Sequence, residues 1–272
     1  MPLFRHRLSW GLLVAALSVA LCARAENEVK TQEEAEAVIR LQDQRIAQEP
    51  QRAAHYVRRG DAYYSLNDLQ RAVEDYSTAI RLDARQDAAY FGRGMALARL
   101  GLIDEGIADF DVYIQRHPDD TVAYTKRGVR HIWRGDLDAA ERDLKRAVAL
   151  DASNAEAHDD LGVVFAKRNR LDLAVPHFAA AIELDPTYQK AYHNLGICFY
   201  LSSQHQAALE VVDAGLQLDE NNRSSLLLKA AILSALGRKA EAKEIAERAE
   251  FLPEGNWTER SALIDRGKNI DR

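Results

Sequence analysis

The chain has 272 residues, of which 47% are hydrophobic and 29% charged, with a formal net charge of −6 at pH 7. An acidic balance argues against nucleic acid as a partner, since that binding needs clustered lysine and arginine to displace counterions, and it leaves a protein partner open. With only two cysteines, Cys22 and Cys198, a disulfide-stapled scaffold is excluded and stability must come from packing.

Residues 1–25 have the pattern of a cleaved signal peptide. Arg5 and Arg7 precede an apolar run from Leu8 to Cys22, and Ala23-Arg24-Ala25 provides a small-x-small cleavage site. The run is shorter than the roughly 20 apolar residues that a membrane span requires. Leu21 is larger than the residue expected before a lipidated cysteine, so Cys22 is either lost with the signal or, against that preference, lipidated. Cleavage after Ala25 removes Arg5, Arg7 and Arg24 and no acid, taking the net charge from −6 to −9. The expected location is the periplasm of a Gram-negative cell, with no membrane insertion of the mature chain. Residues 26–52 then supply one capping helix from Thr31 to Gln48. Thr31 is its N-cap, Glu34 completes a capping box, and Val38, Leu41 and Ile46 give it an apolar side. Pro50 falls where a repeated unit would end, so this helix is expected to act as a half-repeat.

From residue 53 a period of 34 residues runs through the chain. Its eighth position is small in Gly60, Gly94, Gly128, Gly162, Gly196 and Ala230. The fourth is Tyr56, Tyr90, Tyr124, His158, Tyr192 and Leu226. The twentieth is small in Ala72, Gly106, Ala140, Ala174, Ala208 and Ala242, and the twenty-fourth bulky in Tyr76, Phe110, Leu144, Phe178 and Val212. Spacings of three, four and seven put these on one stripe of each of two helices, and the small positions let two backbones approach. Asn67-Asp68, Gly101, Gly135-Asp136, Asn169 and Gly237 mark the connection inside each unit, Gly and Asn suiting a left-handed residue and Asp an N-cap. The units are residues 53–86, 87–120, 121–154, 155–188, 189–222 and 223–254. Tyr113 stands where a small residue is expected, which predicts local repacking of the second unit. Pro176 is placed early in its helix, where little hydrogen bonding is lost. Residues 255–272 remain as a weakly amphipathic helical cap or tail.

A helix pair of this length cannot bury its own apolar face and must stack on its neighbours. The pattern of small, aromatic and proline positions resembles the tetratricopeptide repeat family over about residues 53–254. The resemblance implies an all-α, right-handed superhelical solenoid of about six helix-turn-helix repeats with flanking capping helices. It also implies that the first helix of each unit lines a concave groove through its second, fifth, ninth, twelfth and thirteenth positions. Carried onto this chain, those positions include Phe91, Met95, Val129, Ile132, Trp133, Val163, Ile197, Tyr200, Leu201 and Leu227, an apolar lining suited to a partner helix or extended segment. The lining is either open to such a partner or covered by a tight superhelix or the two flanking helices. Trp133 is the strongest anchor candidate, since buried aromatics dominate interfaces.

A polar cluster of Lys126, Glu156, Asp159, Asp160, Lys190, His193 and Asn194 interrupts the lining. Glu156 and Lys190 share a position in adjacent units, as do Asp159 and His193, and both pairs are expected to touch. They serve either as links between repeats or as readers of a charged group, with His193 titrating near neutrality. Co-chaperones of this family grip a terminal carboxylate with lysine, asparagine and arginine on three successive first helices. The matching positions here hold Val57, Asp61, Gly92, Val122 and Lys126, or one unit later Phe91, Met95, Lys126, Glu156 and Asp160, so that cationic clamp is absent.

Chemistry of its own is not evident. Gly92-Arg93-Gly94 lacks the third glycine and preceding strand of a dinucleotide fingerprint, and no metal-ligand spacing, nucleophile elbow or phosphate loop appears. The expectation is a non-enzymatic protein without cofactor or metal, an adaptor or scaffold of the cell envelope that holds a protein or peptide partner in its groove. Two alternatives stay open. One is a self-associating assembly factor, and the other a recruiting subunit for an envelope enzyme such as a peptidoglycan hydrolase.

Overall fold

The computed structural model describes residues 31–252, and among them every regular element is an α-helix. Helix α1 (Gln32–Gln48) is followed by six pairs. These are α2 (Ala53–Ser65) with α3 (Leu69–Leu82), α4 (Asp87–Arg99) with α5 (Ile103–Arg116), and α6 (Thr121–Arg134) with α7 (Leu137–Leu150). The remaining three are α8 (Ala155–Lys167) with α9 (Leu171–Leu184), α10 (Gln189–Leu201) with α11 (His205–Leu218), and α12 (Arg223–Ala235) with α13 (Lys239–Glu250). Both series of helix starts keep the 34-residue interval without slipping. The signal segment and the C-terminal tail lie outside the described residues.

Local chemistry sets the ends of the helices. Each turn inside a pair passes through one left-handed residue at the fifteenth position of its unit. Gly101, Gly135 and Gly237 have φ of 86°, 86° and 79°, and Asn67 and Asn169 have 60° and 58°. The fifth unit places Ser203 there at 58°, a residue that turn chemistry does not single out and that bears about 1 kcal/mol of strain. Asp68 and Asp136 cap the second helices of their pairs, accepting the Arg71 and Ala139 amides at 3.2 and 3.0 Å. Thr31 and Glu34 close a reciprocal capping box at the start of α1. Pro176 is the sixth residue of α9, beyond its first turn, so the helix forgoes an interior hydrogen bond. The expected marginal loss is thus corrected upward.

Packing follows the small and bulky columns. In the fourth unit Phe178 lies against Gly162 so closely that a Cβ on the glycine would fall 2.7 Å from the ring. In the second unit the backbones themselves meet: a Cβ on Gly106 would sit 2.8 Å from the Gly94 carbonyl oxygen. Tyr113 is accommodated in the same unit, packing edge-on to Phe91 and donating its hydroxyl to Asp120 at 2.8 Å. Tyr76, Phe110, Leu144, Phe178 and Val212 are all buried, each contributing roughly 1.5–3 kcal/mol of apolar burial.

The first helices of successive pairs touch one another, whereas second helices touch only first helices, so α2, α4, α6, α8, α10 and α12 form the inner wall of the stack. Helix α1 contacts α2 and no other helix. No described helix crosses the inner wall. The apolar face each pair cannot cover alone is therefore buried between units, in a continuous series of small cores.

Candidate functional site

The inner wall presents the residues expected of a groove, with unequal exposure. Trp133, Leu201 and Leu227 are exposed at 39%, 61% and 41%, while Phe91, Met95, Val129, Val163, Ile197 and Tyr200 are half-buried. Phe91 is partly taken into the second unit, its ring edge-on to Phe110 at 5.3 Å. Val163 leans on the core shared by the third to fifth units, and Tyr200 on that shared by the fifth and sixth.

The polar cluster is assembled differently from the expectation. Lys126 Nζ lies 2.6 and 2.7 Å from the two carboxylate oxygens of Glu156. Lys190 Nζ lies 2.8 Å from Asp159 and 2.9 Å from Asp160, and Asn194 donates to Asp159 at 2.8 Å. His193 Nδ1 is 3.2 Å from Ser225 Oγ. The anticipated Glu156–Lys190 and Asp159–His193 pairs are not formed. Neighbouring inner helices are offset by about one turn, so the second position of a unit meets the sixth of the unit before it. Asp159 is 0% exposed and braces the wall from within rather than facing a partner. Burial lowers the His193 pKa to about 4, so its expected titration near neutrality is corrected as well. Burial pushes Asp160 up to about 6 against the pull of Lys190, whose own ammonium is held well above its ordinary range by Asp160 and Asp159 despite burial.

Sequence reasoning missed Arg130. It occupies the tenth position, where the other units carry Ala62, Ala96, Val164, Cys198 and Ile232. That column, read by itself, would have found it. The side chain is 4% exposed, with its guanidinium 4.7 Å from the Trp133 ring and 5.8 Å from Phe110. One terminal nitrogen donates to Met95 Sδ at 3.1 Å and the other to the Lys126 carbonyl at 3.4 Å. Nε is buried without a hydrogen-bond partner, and among the described residues no carboxylate forms an ion pair with it. Burial holds the guanidinium below its ordinary value, which the more distant Glu156 and Asp160 only partly offset. Cys198 is buried too, and burial raises its thiol to about 11, leaving it a neutral apolar filler.

Among the described residues no group of three His, Cys, Asp or Glu side chains could hold a metal, and no helix is long and apolar enough to cross a membrane. A stack of helix pairs whose inner wall no other described helix crosses is the architecture of an interaction scaffold for proteins. Family models described as TPR repeat or tetratricopeptide repeat match residues 60–101, 88–120 and 126–189. These segments are tetratricopeptide repeats, which makes the chain a tetratricopeptide repeat protein over that part of its length.

Solved structures agree on the fold. A chain of the APC/C hetero-tetramer Cut9–Hcn1 is similar at 19% identity and TM-score 0.67, over 82% of this chain but only 47% of that one. A tetratricopeptide repeat protein from Parabacteroides merdae is similar at 17% identity and TM-score 0.65, over 87% and 90% of the two chains. YrrB, described as a TPR protein with an unusual peptide-binding site, is similar at 25% identity and TM-score 0.53, over 68% and 95%. No curated protein matches the sequence.

Proposed function

We propose that this protein is a non-enzymatic adaptor of the bacterial cell envelope that holds a segment of a partner protein along its inner wall. The observation that carries this reading is the wall itself: an apolar strip running from Met95 to Leu227, uncrossed by any described helix, with Trp133 exposed at its centre. Exposed apolar strips on a concave face are characteristic of docking grooves. The similarity to YrrB, whose structure is described by its peptide-binding site, supports a peptide-like occupant. Export to the periplasm rests on Arg5, Arg7, the apolar run to Cys22 and the Ala23-Arg24-Ala25 site.

The reading is tested by affinity capture from an envelope extract, using residues 26–272 and a Val129→Arg, Val163→Arg variant that retains its helical circular dichroism. Proteins held by the wild type and lost by the variant are the expected result. Identical captures from both baits contradict groove binding.

A further inference from the structure

Arg130 is the least economical residue in the fold if its role is only structural. The other tenth-position side chains, Ala62, Ala96, Val164, Cys198 and Ile232, are buried and apolar, so the site accepts an uncharged filler. Burying a charge without a partner is strongly unfavourable. The other arginines at the core of the stack avoid this: Arg59, Arg93 and Arg127 each make two hydrogen bonds to an aspartate, Asp75, Asp109 and Asp143. Beyond the faces of Trp133 and Phe110, Arg130 has a thioether, a long carbonyl contact and an idle Nε, and no anion. Lys126, one turn before it on the same helix, is already neutralised by Glu156, and Arg99 adds further positive potential.

We propose that Arg130 reads an acidic side chain on the partner segment, whose carboxylate enters beside Trp133 and accepts the guanidinium hydrogen bonds that the free protein leaves unmade. This rests on the groove reading above and adds the chemistry of the occupant: an aspartate or glutamate flanked by apolar residues. Met95 and Val129 provide the apolar contacts on either side. Trp133, exposed and lying over the guanidinium, is the cover that turns aside, a rotamer change that exposed side chains make readily. Arginine suits this task because its planar fork pairs with a carboxylate through two hydrogen bonds. The family's terminal-carboxylate clamp is absent, and Arg130 lies outside its positions.

The test is selection of an internally displayed random dodecapeptide library on residues 26–272 and, in parallel, on the Arg130→Met variant. The expected result is a wild-type consensus with one aspartate or glutamate between apolar residues, and loss of that acidic preference in the variant. For a selected peptide, changing the acid to its amide weakens wild-type binding at least tenfold and leaves binding to Arg130→Met unchanged. Arg130→Lys retains part of the preference. Arg130→Met also keeps or raises the Tm, because an uncompensated charge leaves the interior, whereas a structural arginine gives a lowered Tm and overturns the proposal. A consensus without an acid that is still lost in Val129→Arg, Val163→Arg overturns the role of Arg130 while leaving the groove reading intact. Failure to enrich any sequence, or an acidic preference that survives in Arg130→Met, overturns it too.

Discussion

At the residue scale His193 carries a definite pH signature. At pH 7 it is neutral in the folded chain and largely neutral in the unfolded one, so it contributes little to the pH dependence there. Because burial lowers its folded pKa to about 4, the unfolded chain binds the proton first as pH falls through the ordinary histidine value, and stability is lost between about 6.5 and 4. Asp160 acts in the opposite sense: pushed up to about 6, it holds a proton that the unfolded chain has shed, so acidification over the same window favours the fold. A variant separates the two. The stability of the wild type relative to His193→Asn is expected to fall by up to about 3 kcal/mol between pH 7 and 4, measured by urea melts at each pH. A pH-independent difference contradicts the buried, neutral assignment. The sequence placed His193 on the inner wall but could not give its depth, because depth depends on how Ser225 from the next unit closes over it. Arg130 escaped for a different reason: repeat columns were read for their small and bulky members, and a charge in an apolar column is visible only when the columns between them are read as well.

At the element scale the stack is joined in two ways. In the first three units the seventh-position arginine crosses to an aspartate on its own second helix and reaches back to the preceding unit. Arg127, for example, binds Asp143 at 2.7 Å and Asp111 at 2.6 Å. In the fourth and fifth units Leu161 and Leu195 stand at that position, opposite His177 and Val211. The protein thus contains both solutions to the same contact, ionic in the first three units and apolar in the fifth. Breaking a buried pair strands a charge, whereas replacing both members with apolar groups is commonly close to neutral. Arg127→Leu alone is accordingly expected to cost about 3–5 kcal/mol, while Arg127→Leu with Asp143→Val restores stability to within about 1 kcal/mol of wild type. Additive losses in a double-mutant cycle contradict this account. The arginine column was plain in the sequence; its aspartate partners, sixteen residues on, became evident only when the second helix folded back on the first.

At the scale of the whole molecule, the solenoid was legible because one physical need repeats: each helix pair must bury its apolar face on the next, and Gly162 beneath Phe178 meets that need much as Gly60 beneath Tyr76 does. The groove was legible in part. Trp133, Val129 and Ile197 lie on the first helices that line the stack and keep some exposure, but Asp159 is fully buried and Phe91 half-absorbed into its own unit. Those differences arise from contacts between units, which no single period encodes. The proposed function requires that the inner wall, not the outer one, meets the partner. Site-specific photo-crosslinking in intact cells tests it most directly, with a benzophenone side chain placed at Val129 or Ile197 on the inner wall and at Arg142 or Glu183 on the outer helices. The account predicts a discrete crosslinked partner from the inner positions and none from the outer ones. The same adduct from Arg142 and Glu183, with none from Val129 and Ile197, would contradict it.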